Sequence, residues 1–210
     1  MRINIPHIEN DFLIKEFDNE SWRKAREVLI ENYWSGEKAN FGRHAKAKLV
    51  WSDSAFYIRF EANQTEPLVI SKTPNLKSKT IGLWDRDVCE IFVAPNPNES
   101  DKYFEFEVAP NGEWIDLRIQ LMPDKRETDF DYISGMESAA KIEADKVWMA
   151  MKIEWKAFSK APKADDVWKG NLFRCVGIGD TRGYLAWSPT KTKTPNFHVP
   201  EAFGEFEFIK

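Results

Sequence analysis

The segment Leu83-Trp84-Asp85-Arg86-Asp87-Val88-Cys89-Glu90-Ile91-Phe92-Val93-Ala94-Pro95 combines a tryptophan, four charged residues and an apolar run within thirteen positions. Side chains along a β-strand point alternately to its two faces. Cys89, Ile91 and Val93 therefore share one face, and this apolar face is the better candidate for the protein core. Glu90 is left on the opposite face, next to the loop that precedes the strand.

An aromatic ring beside a sheet and a carboxylate on that sheet form a combination suited to sugar binding. The indole of Trp84 would cover a C–H face of the sugar, and Glu90 would accept hydrogen bonds from its hydroxyl groups. An ordinary strand with a core tryptophan and a solvated glutamate is the alternative interpretation. The sequence of the rest of the chain is needed to distinguish a sugar site from an ordinary strand.

The composition favours a sheet-rich domain and argues against nucleic-acid binding. The chain has 210 residues, 9 Trp, 15 Phe and 5 Tyr, and aromatic residues are enriched in strands. Its net charge of −4 provides no basic surface for a nucleic acid. Cys89 and Cys175 both lie in apolar strand patterns, which leaves buried thiols and a disulfide open as alternatives. The three histidines are far apart in sequence and have no metal-ligand spacing.

Neither a signal peptide nor a membrane span is visible in the sequence. The first 13 residues lack the apolar region of a signal peptide, and no window approaches the length of a membrane span. We therefore expect a cytoplasmic protein without a membrane partner. Removal of a leader would instead be consistent with an extracellular or periplasmic location.

Alternating apolar and polar residues predict about ten strands joined mostly by hairpins. We expect one domain over residues 1–210, an all-β antiparallel β-sandwich of jelly-roll type with long loops and one or two short helices. Residues 1–43 are expected to form an irregular or helical segment packed on it, with Trp22 as a packing residue. The predicted strands are 44–51, 55–62, 87–95, 103–108, 114–120, 136–143, 146–154, 171–179, 184–188 and 204–209, with a further short strand at 68–71 inside the long loop 63–82; residues 122–134 and 189–200 are predicted as loops.

The same alternation predicts a polar, mostly acidic face on consecutive strands. In the strand 114–120 the isoleucines and leucines are assigned to the core, which leaves Trp114 near an edge of the polar face. A solvated sheet surface is the alternative interpretation. The residues assigned to the polar face are Glu90, Glu105, Glu107, Asp116, Arg118 and Gln120.

Three separated pieces of the sequence resemble carbohydrate-binding module family 9. Trp84-Asp85-Arg86-Asp87-Val88-Cys89-Glu90-Ile91-Phe92 is similar to the family's Trp-x-x-Asp-x-x-Glu-(Ile/Val)-Phe. Ala186-Trp187-Ser188-Pro189 is similar to its late Trp-Ser segment. Phe197-His198-Val199-Pro200-Glu201-Ala202-Phe203-Gly204 is similar to its closing aromatic-x-x-Pro-x-x-Phe-Gly, and the early hairpin with Trp51-Ser52-Asp53 and Tyr57 also fits. The order and spacing of the pieces carry the resemblance.

The resemblance implies a β-sandwich that binds a carbohydrate without hydrolysing it, in association with polysaccharide breakdown. Family members hold a terminal sugar between two aromatic side chains, which by position are Trp84 and Phe197 here. The family's carboxylate that binds sugar hydroxyls falls on Glu90. The family also uses an arginine on the next strand, and the nearest match here is Glu107.

The missing arginine widens the set of candidate carbohydrate-binding residues. Arg86, Arg118 or Arg182 would take its place, and Trp114 is a further candidate near the same face. The resemblance implies no required cofactor. Structural calcium occurs in the family, but the sequence contains no ordered calcium-ligand pattern of the EF-hand type.

Two other functions are consistent with parts of the sequence. A glycoside hydrolase needs two carboxylates, and Glu90 with Glu107 would supply them. Distant sandwich relatives of the DOMON type bind haem through methionine and histidine. That function would require His198 to meet one of three methionines, Met122, Met149 or Met151.

Overall fold

The computed structural model describes residues 1–210 and is a sandwich of two β-sheets. Its helical elements are six short 3₁₀ turns, so the sheets carry the architecture. The strands are β1 (Arg2–Pro6), β2 (Val28–Ile30), β3 (Asn32–Tyr33), β4 (Ala45–Trp51), β5 (Ala55–Asn63), β6 (Val88–Ala94), β7 (Lys102–Val108), β8 (Trp114–Met122), β9 (Lys125–Asp129), β10 (Glu137–Ile142), β11 (Lys146–Glu154), β12 (Val167–Val176), β13 (Gly183–Ala186) and β14 (Gly204–Ile209).

The larger sheet has nine strands and the smaller sheet has five. The larger sheet runs β1-β14-β12-β6-β7-β8-β9, with β13 pairing to the far half of β12 and β3 pairing to β13. The smaller sheet runs β10-β11-β5-β4-β2. Every pairing between named strands is antiparallel except that of β1 with β14, which is parallel. The predicted all-β antiparallel sandwich is thus confirmed, with fourteen strands rather than about ten.

The main core lies between the two sheets and contains 33 buried residues. Cys89, Ile91 and Val93 of β6 belong to it, as do Phe106 and Val108 of β7, as the alternation predicted. Burial of apolar surface on this scale is the main force that holds the two sheets together.

The outer face of each sheet is also covered. On the smaller sheet, the N-terminal segment packs Ile8, Ile14 and Trp22 against a cluster of eight buried residues. Trp22 lies in a 3₁₀ turn and is 1% exposed, so it is a packing residue. On the larger sheet, fourteen buried residues form a second apolar layer, in which Phe197 and Phe203 come from the loop before β14. This covered outer face is where the cavity described below lies.

The predicted faces of β8 are reversed in the structure. Ile115, Leu117 and Ile119 belong to the outer layer rather than to the core between the sheets. Trp114 packs against the core between the sheets, and Asp116 is fully buried there with a salt bridge to Lys79. Arg118 and Gln120 follow the same alternation, and Arg118 pairs with Asp129 of β9. The apolar side of β8 is buried as expected, but it is buried under loops.

Several predicted loops contain strands, and one predicted strand is absent. The first 43 residues supply β1 and β3 to the larger sheet and β2 to the smaller one. The polar segment 122–134 contains β9. No strand forms at 68–71. Instead, the N–H of Val69 donates to the buried carboxylate of Asp87 (3.1 Å), and the N–H of Asp87 donates to the carbonyl of Val69 (2.9 Å).

No helix in the structure is long and apolar enough to cross a membrane.

Candidate functional site

A cavity of about 310 Å³ lies on the outer face of the larger sheet. Strands β6, β7, β8 and β12 form its floor, and β9 and β13 contribute to its walls. The loop before β6 and the loop at 195–198 complete the walls. The side chains that line it include Trp84, Asp85, Glu90, Phe92, Glu105, Leu117, Arg126, Cys175, Tyr184, Asn196, Phe197 and His198.

Aromatic side chains form one wall of this cavity. Phe197 is 8% exposed and stacks on Phe173 of β12, with ring centroids 4.0 Å apart and planes 11° from parallel. The ring of Tyr184 meets Phe197 edge-on at 6.0 Å. Trp84 is half-buried and lines the same cavity. Rings held in this way offer flat apolar surfaces without losing much conformational freedom when a ligand binds.

Arg182 fixes the loop that carries Trp84. Its guanidinium donates hydrogen bonds to the carbonyl oxygens of Trp84, Arg86 (2.8 Å) and Gly177 (2.8 Å). The same guanidinium lies over the ring of Tyr184, 5.4 Å from its centroid. Arg182 therefore connects two aromatic residues of the cavity, through the main chain of Trp84 and the ring of Tyr184. It does not line the cavity itself.

Three carboxyl groups lie together at the floor. Glu90 of β6 pairs in register with Glu107 of β7, and Glu105 pairs with Phe92. One carboxylate oxygen from each of the three glutamates lies within 4.8 Å of the other two. Glu90, Glu105 and Glu107 are only 2%, 4% and 0% exposed. Glu90 and Glu105 line the cavity, whereas Glu107 lies behind them.

The environment of these carboxyls favours their neutral forms. Burial raises the pKa of Glu90 to about 8, and the nearby Glu105 adds to the increase. Burial also raises the pKa of Glu105 and of Glu107. The thiol of Cys175 donates a hydrogen bond to Glu90 Oε1 (3.3 Å). A carboxyl removed from water without a cationic partner binds a proton more tightly, because its charged form loses hydration.

His198 stays uncharged beside this cluster. Burial and the positive charge of Arg126 lower the pKa of His198 to about 3. Its Nδ1 lies 2.6 Å from the Tyr103 hydroxyl, which donates to it when the imidazole proton is on Nε2. The same Nδ1 lies 4.0 Å from Glu105 Oε2. A neutral imidazole at this distance does not neutralise the carboxylate.

The structure brings together some of the predicted site residues and separates others. Trp84, Glu90 and Phe197 line one cavity. Glu107 is adjacent to Glu90 but has no exposed surface. The remaining candidates do not line the cavity: Arg86 pairs with Glu113, Arg118 pairs with Asp129, and Trp114 packs against the core between the sheets.

Many lining residues were missing from the predicted carbohydrate site, among them Arg126, Tyr184, Glu105 and His198. Arg126 was overlooked because β9 is polar throughout, and such a pattern is typical of a loop. Tyr184 opens a predicted strand, and an aromatic residue there is a usable signal. Glu105 was assigned to the polar face but not to the site. His198 was considered as a haem ligand but not as a sugar contact, although it directly follows Phe197.

The haem hypothesis finds no support in the positions of the methionines. Met149 and Met151 lie in the core between the sheets, whereas His198 lies on the outer face of the larger sheet. Met122 is 41% exposed at the end of β8. The three methionines therefore do not converge on His198. Cys89 and Cys175 are both free and buried, and they belong to different apolar clusters on opposite faces of the larger sheet.

The glutamate cluster by itself falls short of a calcium shell. Calcium takes six to eight oxygen ligands. Three carboxylates supply that number only if all are bidentate, and one oxygen of Glu90 already accepts the Cys175 thiol. Phe92 and Cys175 occupy neighbouring positions and are poor calcium ligands.

The family model "Carbohydrate family 9 binding domain-like" matches residues 16–210. No curated protein sequence shows a significant match.

Solved structures resemble the whole chain in fold. A putative carbohydrate-binding protein from Bacteroides uniformis superposes with a TM-score of 0.75 at 15% identity, over 99% of this chain and 98% of the other. A carbohydrate binding module family 9 from Caldicellulosiruptor kristjanssonii superposes with a TM-score of 0.71 at 19% identity in its cellotriose complex, over 100% of this chain and 94% of the other. Its glucose complex gives the same score and identity, over 99% and 95%. The identities are low, so these structures support the fold, and the family match covers most of the chain. The chain therefore belongs to the carbohydrate family 9 binding domain-like family.

Proposed function

We propose that this protein is a non-catalytic carbohydrate-binding domain that holds a single sugar unit in the cavity beside Trp84, Tyr184 and Phe197. The observation that carries the proposal is the meeting of aromatic rings and buried carboxyls in one cavity. Sugars present C–H faces and hydroxyl edges, and this combination matches both. The volume of about 310 Å³ lies at the small end of ligand pockets, which suits one ring better than a long chain.

The elements around the cavity support a preformed site. Phe197 is already stacked on Phe173, and the main chain at Trp84 is already bonded to Arg182. A ligand that enters such a site loses little affinity to the ordering of side chains. The polar groups at the floor and rim would then select among sugars by the hydrogen bonds that they accept or donate.

The geometry gives less support to a glycoside hydrolase. Hydrolysis requires two carboxyl groups that both reach the scissile bond. In the pair Glu90 with Glu107, Glu107 is fully buried and does not line the cavity. Glu107 would first have to become exposed before it could act as nucleophile or base.

Tryptophan fluorescence titration tests the proposal. Wild type, Trp84→Ala and a control, Trp148→Ala, are titrated with glucose, cellobiose and cellotriose; glucose and cellotriose are the ligands named for the structures of the Caldicellulosiruptor relative. Trp148 lies on β11 in the other sheet, so its loss leaves the cavity intact.

We expect saturable quenching in wild type and in Trp148→Ala. Truncation of a central aromatic contact costs about 2 kcal/mol or more, so we expect at least a ten-fold loss of affinity in Trp84→Ala. Saturable binding that is equally tight in all three proteins would place the sugar elsewhere. The absence of any response, extended to a wider panel of plant and bacterial sugars, would refute carbohydrate binding.

A further inference from the structure

The buried carboxyl oxygens at the cavity floor lack partners. Glu105 Oε2 and both oxygens of Glu107 are buried and find no hydrogen-bond donor in the rest of the chain, although Glu105 and Glu107 lie within hydrogen-bond reach of each other. The basic nitrogen within 4.0 Å of the cluster is His198 Nδ1, which belongs to a neutral imidazole. No lysine or arginine forms a salt bridge with Glu90, Glu105 or Glu107. Salt bridges with lysine or arginine are common elsewhere in the chain. Glu90 and Glu105 therefore face the cavity without a cationic partner, and Glu107 lies behind them.

Asp116 and Asp87 show how this fold treats a buried acid that serves only the structure. Asp116 is fully buried and forms a salt bridge with Lys79 (2.5 Å), while its second oxygen accepts hydrogen bonds from Ser134. Asp87 accepts hydrogen bonds from the N–H groups of Val69 and Gly177. The contrast indicates that Glu90 and Glu105, the two glutamates that line the cavity, are completed by a group from outside the chain.

We infer that the ligand of this cavity is a sugar that carries a protonated primary amine, with the ammonium group placed against Glu90 and Glu105. The inference rests on the proposed carbohydrate function and specifies the substrate class of that site. An ammonium group has three donors. The unpartnered Glu105 Oε2 is an acceptor that is already desolvated, and the carboxyl of Glu90 lies beside it. Charged hydrogen bonds of this kind are stronger than those made by a hydroxyl group.

The charges around the cavity agree with a cationic ligand. Asp85, Glu90 and Glu105 line it, against a single cation, Arg126, on the exposed edge strand β9. The cavity is therefore acidic once the carboxyls ionise. The ammonium stabilises that ionised form, because a nearby positive charge lowers the pKa of a carboxyl. Glu107, directly behind, is fully buried, and this burial raises its pKa.

A divalent metal ion would account less well for the carboxyl oxygens that lack hydrogen-bond partners. The cluster falls short of a calcium shell, as described above, and its side toward Phe92 and Cys175 is apolar. An ammonium requires three acceptors rather than six to eight oxygens. The rest of the sugar ring would then lie against Trp84 and Phe197. An isolated metal ion would make no contact with these aromatic side chains.

Calorimetric titration with three matched sugars tests this inference. Glucose, glucosamine and N-acetylglucosamine differ at one position, and acetylation removes the charge while it retains the nitrogen. We expect glucosamine to bind at least ten-fold more tightly than either neutral sugar at pH 6.5. The variant Glu105→Gln should lower the preference for glucosamine over glucose to below three-fold. The control Glu201→Gln, which changes an exposed residue outside the cavity, should behave as wild type.

The outcomes separate this inference from the proposed function. If glucose binds in a manner that requires Trp84 and glucosamine gives no gain, the amine inference is wrong and the carbohydrate function stands. If none of the sugars binds, both are wrong.

Each titration is repeated with EDTA and with added calcium chloride. Sugar binding that requires calcium, together with loss of the preference for the amine, would assign the cluster to a metal ion and overturn the inference.

Discussion

Replacement of Glu90 by glutamine should make the protein more stable at neutral and alkaline pH. Glutamine keeps the volume of the side chain and removes the group that has to ionise. The pKa of Glu90 is about 8 in the folded protein and 4.5 ordinarily. A raised folded-state pKa contributes stability below pH 4.5, and this contribution is lost as the pH rises through 8.

The size of the effect follows from the same two values. Between pH 4.5 and 7 the unfolded chain gives up its proton and the folded protein retains it, which lowers wild-type stability by about 3 kcal/mol. This figure is a ceiling, because Glu105 and Glu107 share the same site and take up part of the change. Glu90→Gln has no ionisable group at this position, so its stability does not fall in this way. The two proteins should therefore have similar stabilities at pH 5 and diverge progressively up to pH 8.

Urea unfolding of wild type, Glu90→Gln and the control Glu201→Gln at pH 5, 6, 7 and 8 checks this prediction. The difference in free energy of unfolding between Glu90→Gln and wild type should grow with pH, whereas Glu201→Gln should follow wild type. His198 works in the opposite direction, because its lowered pKa makes stability fall as the pH drops from 6.5 toward 3. It is present in all three proteins and cancels in the comparison. Parallel curves for Glu90→Gln and wild type would show that Glu90 is ionised in the folded protein.

Three further predictions follow from the packing. Gly170→Ala should lower the free energy of unfolding by about 1–3 kcal/mol in urea titrations, because a Cβ there would lie 2.4 Å from a main-chain oxygen of β6 and 2.3 Å from a ring carbon of β14. Arg182→Ala should weaken sugar binding about ten-fold in the fluorescence titration, because it frees the main chain at Trp84; unchanged affinity would show that the loop holds itself. Cys89 and Cys175 should resist alkylation at pH 8 in the native protein and both react in urea, with no reductant-dependent change in electrophoretic mobility.

Alternation predicted most of the strands, but it did not always predict which face of a strand is buried between the two sheets. Alternation placed β6 and β7 with the correct faces, because one face of each is uniformly apolar while the other carries glutamates. In β8 the same rule failed. Both sides of that strand are covered, and alternation identifies two faces without saying which one meets the second sheet. Loops distant in sequence, such as the one that carries Phe197, decide this.

The lining of the cavity was predictable where a residue belonged to a distinctive sequence motif. Trp84, Glu90 and Phe197 were selected from motifs, and the structure places them around one cavity. The burial of the glutamates was not predictable, since alternating glutamates in a strand normally mark a solvated surface. Arg126 carried no signal, because β9 is polar throughout and joins the site only by pairing with β8.

The parallel pairing of β1 with β14 has a consequence for how the molecule folds. Arg2 lies opposite Glu205, a separation of 203 positions along the chain. Contacts this distant in sequence raise the contact order, and proteins dominated by such contacts fold on the slower, millisecond-to-second scale. During synthesis on the ribosome, β1 emerges early and waits for β14, so its apolar residues Ile3 and Ile5 remain exposed in the nascent chain. The β1 edge of the larger sheet is therefore completed only after β14 has been synthesised, and until then β1 depends on protection from aggregation.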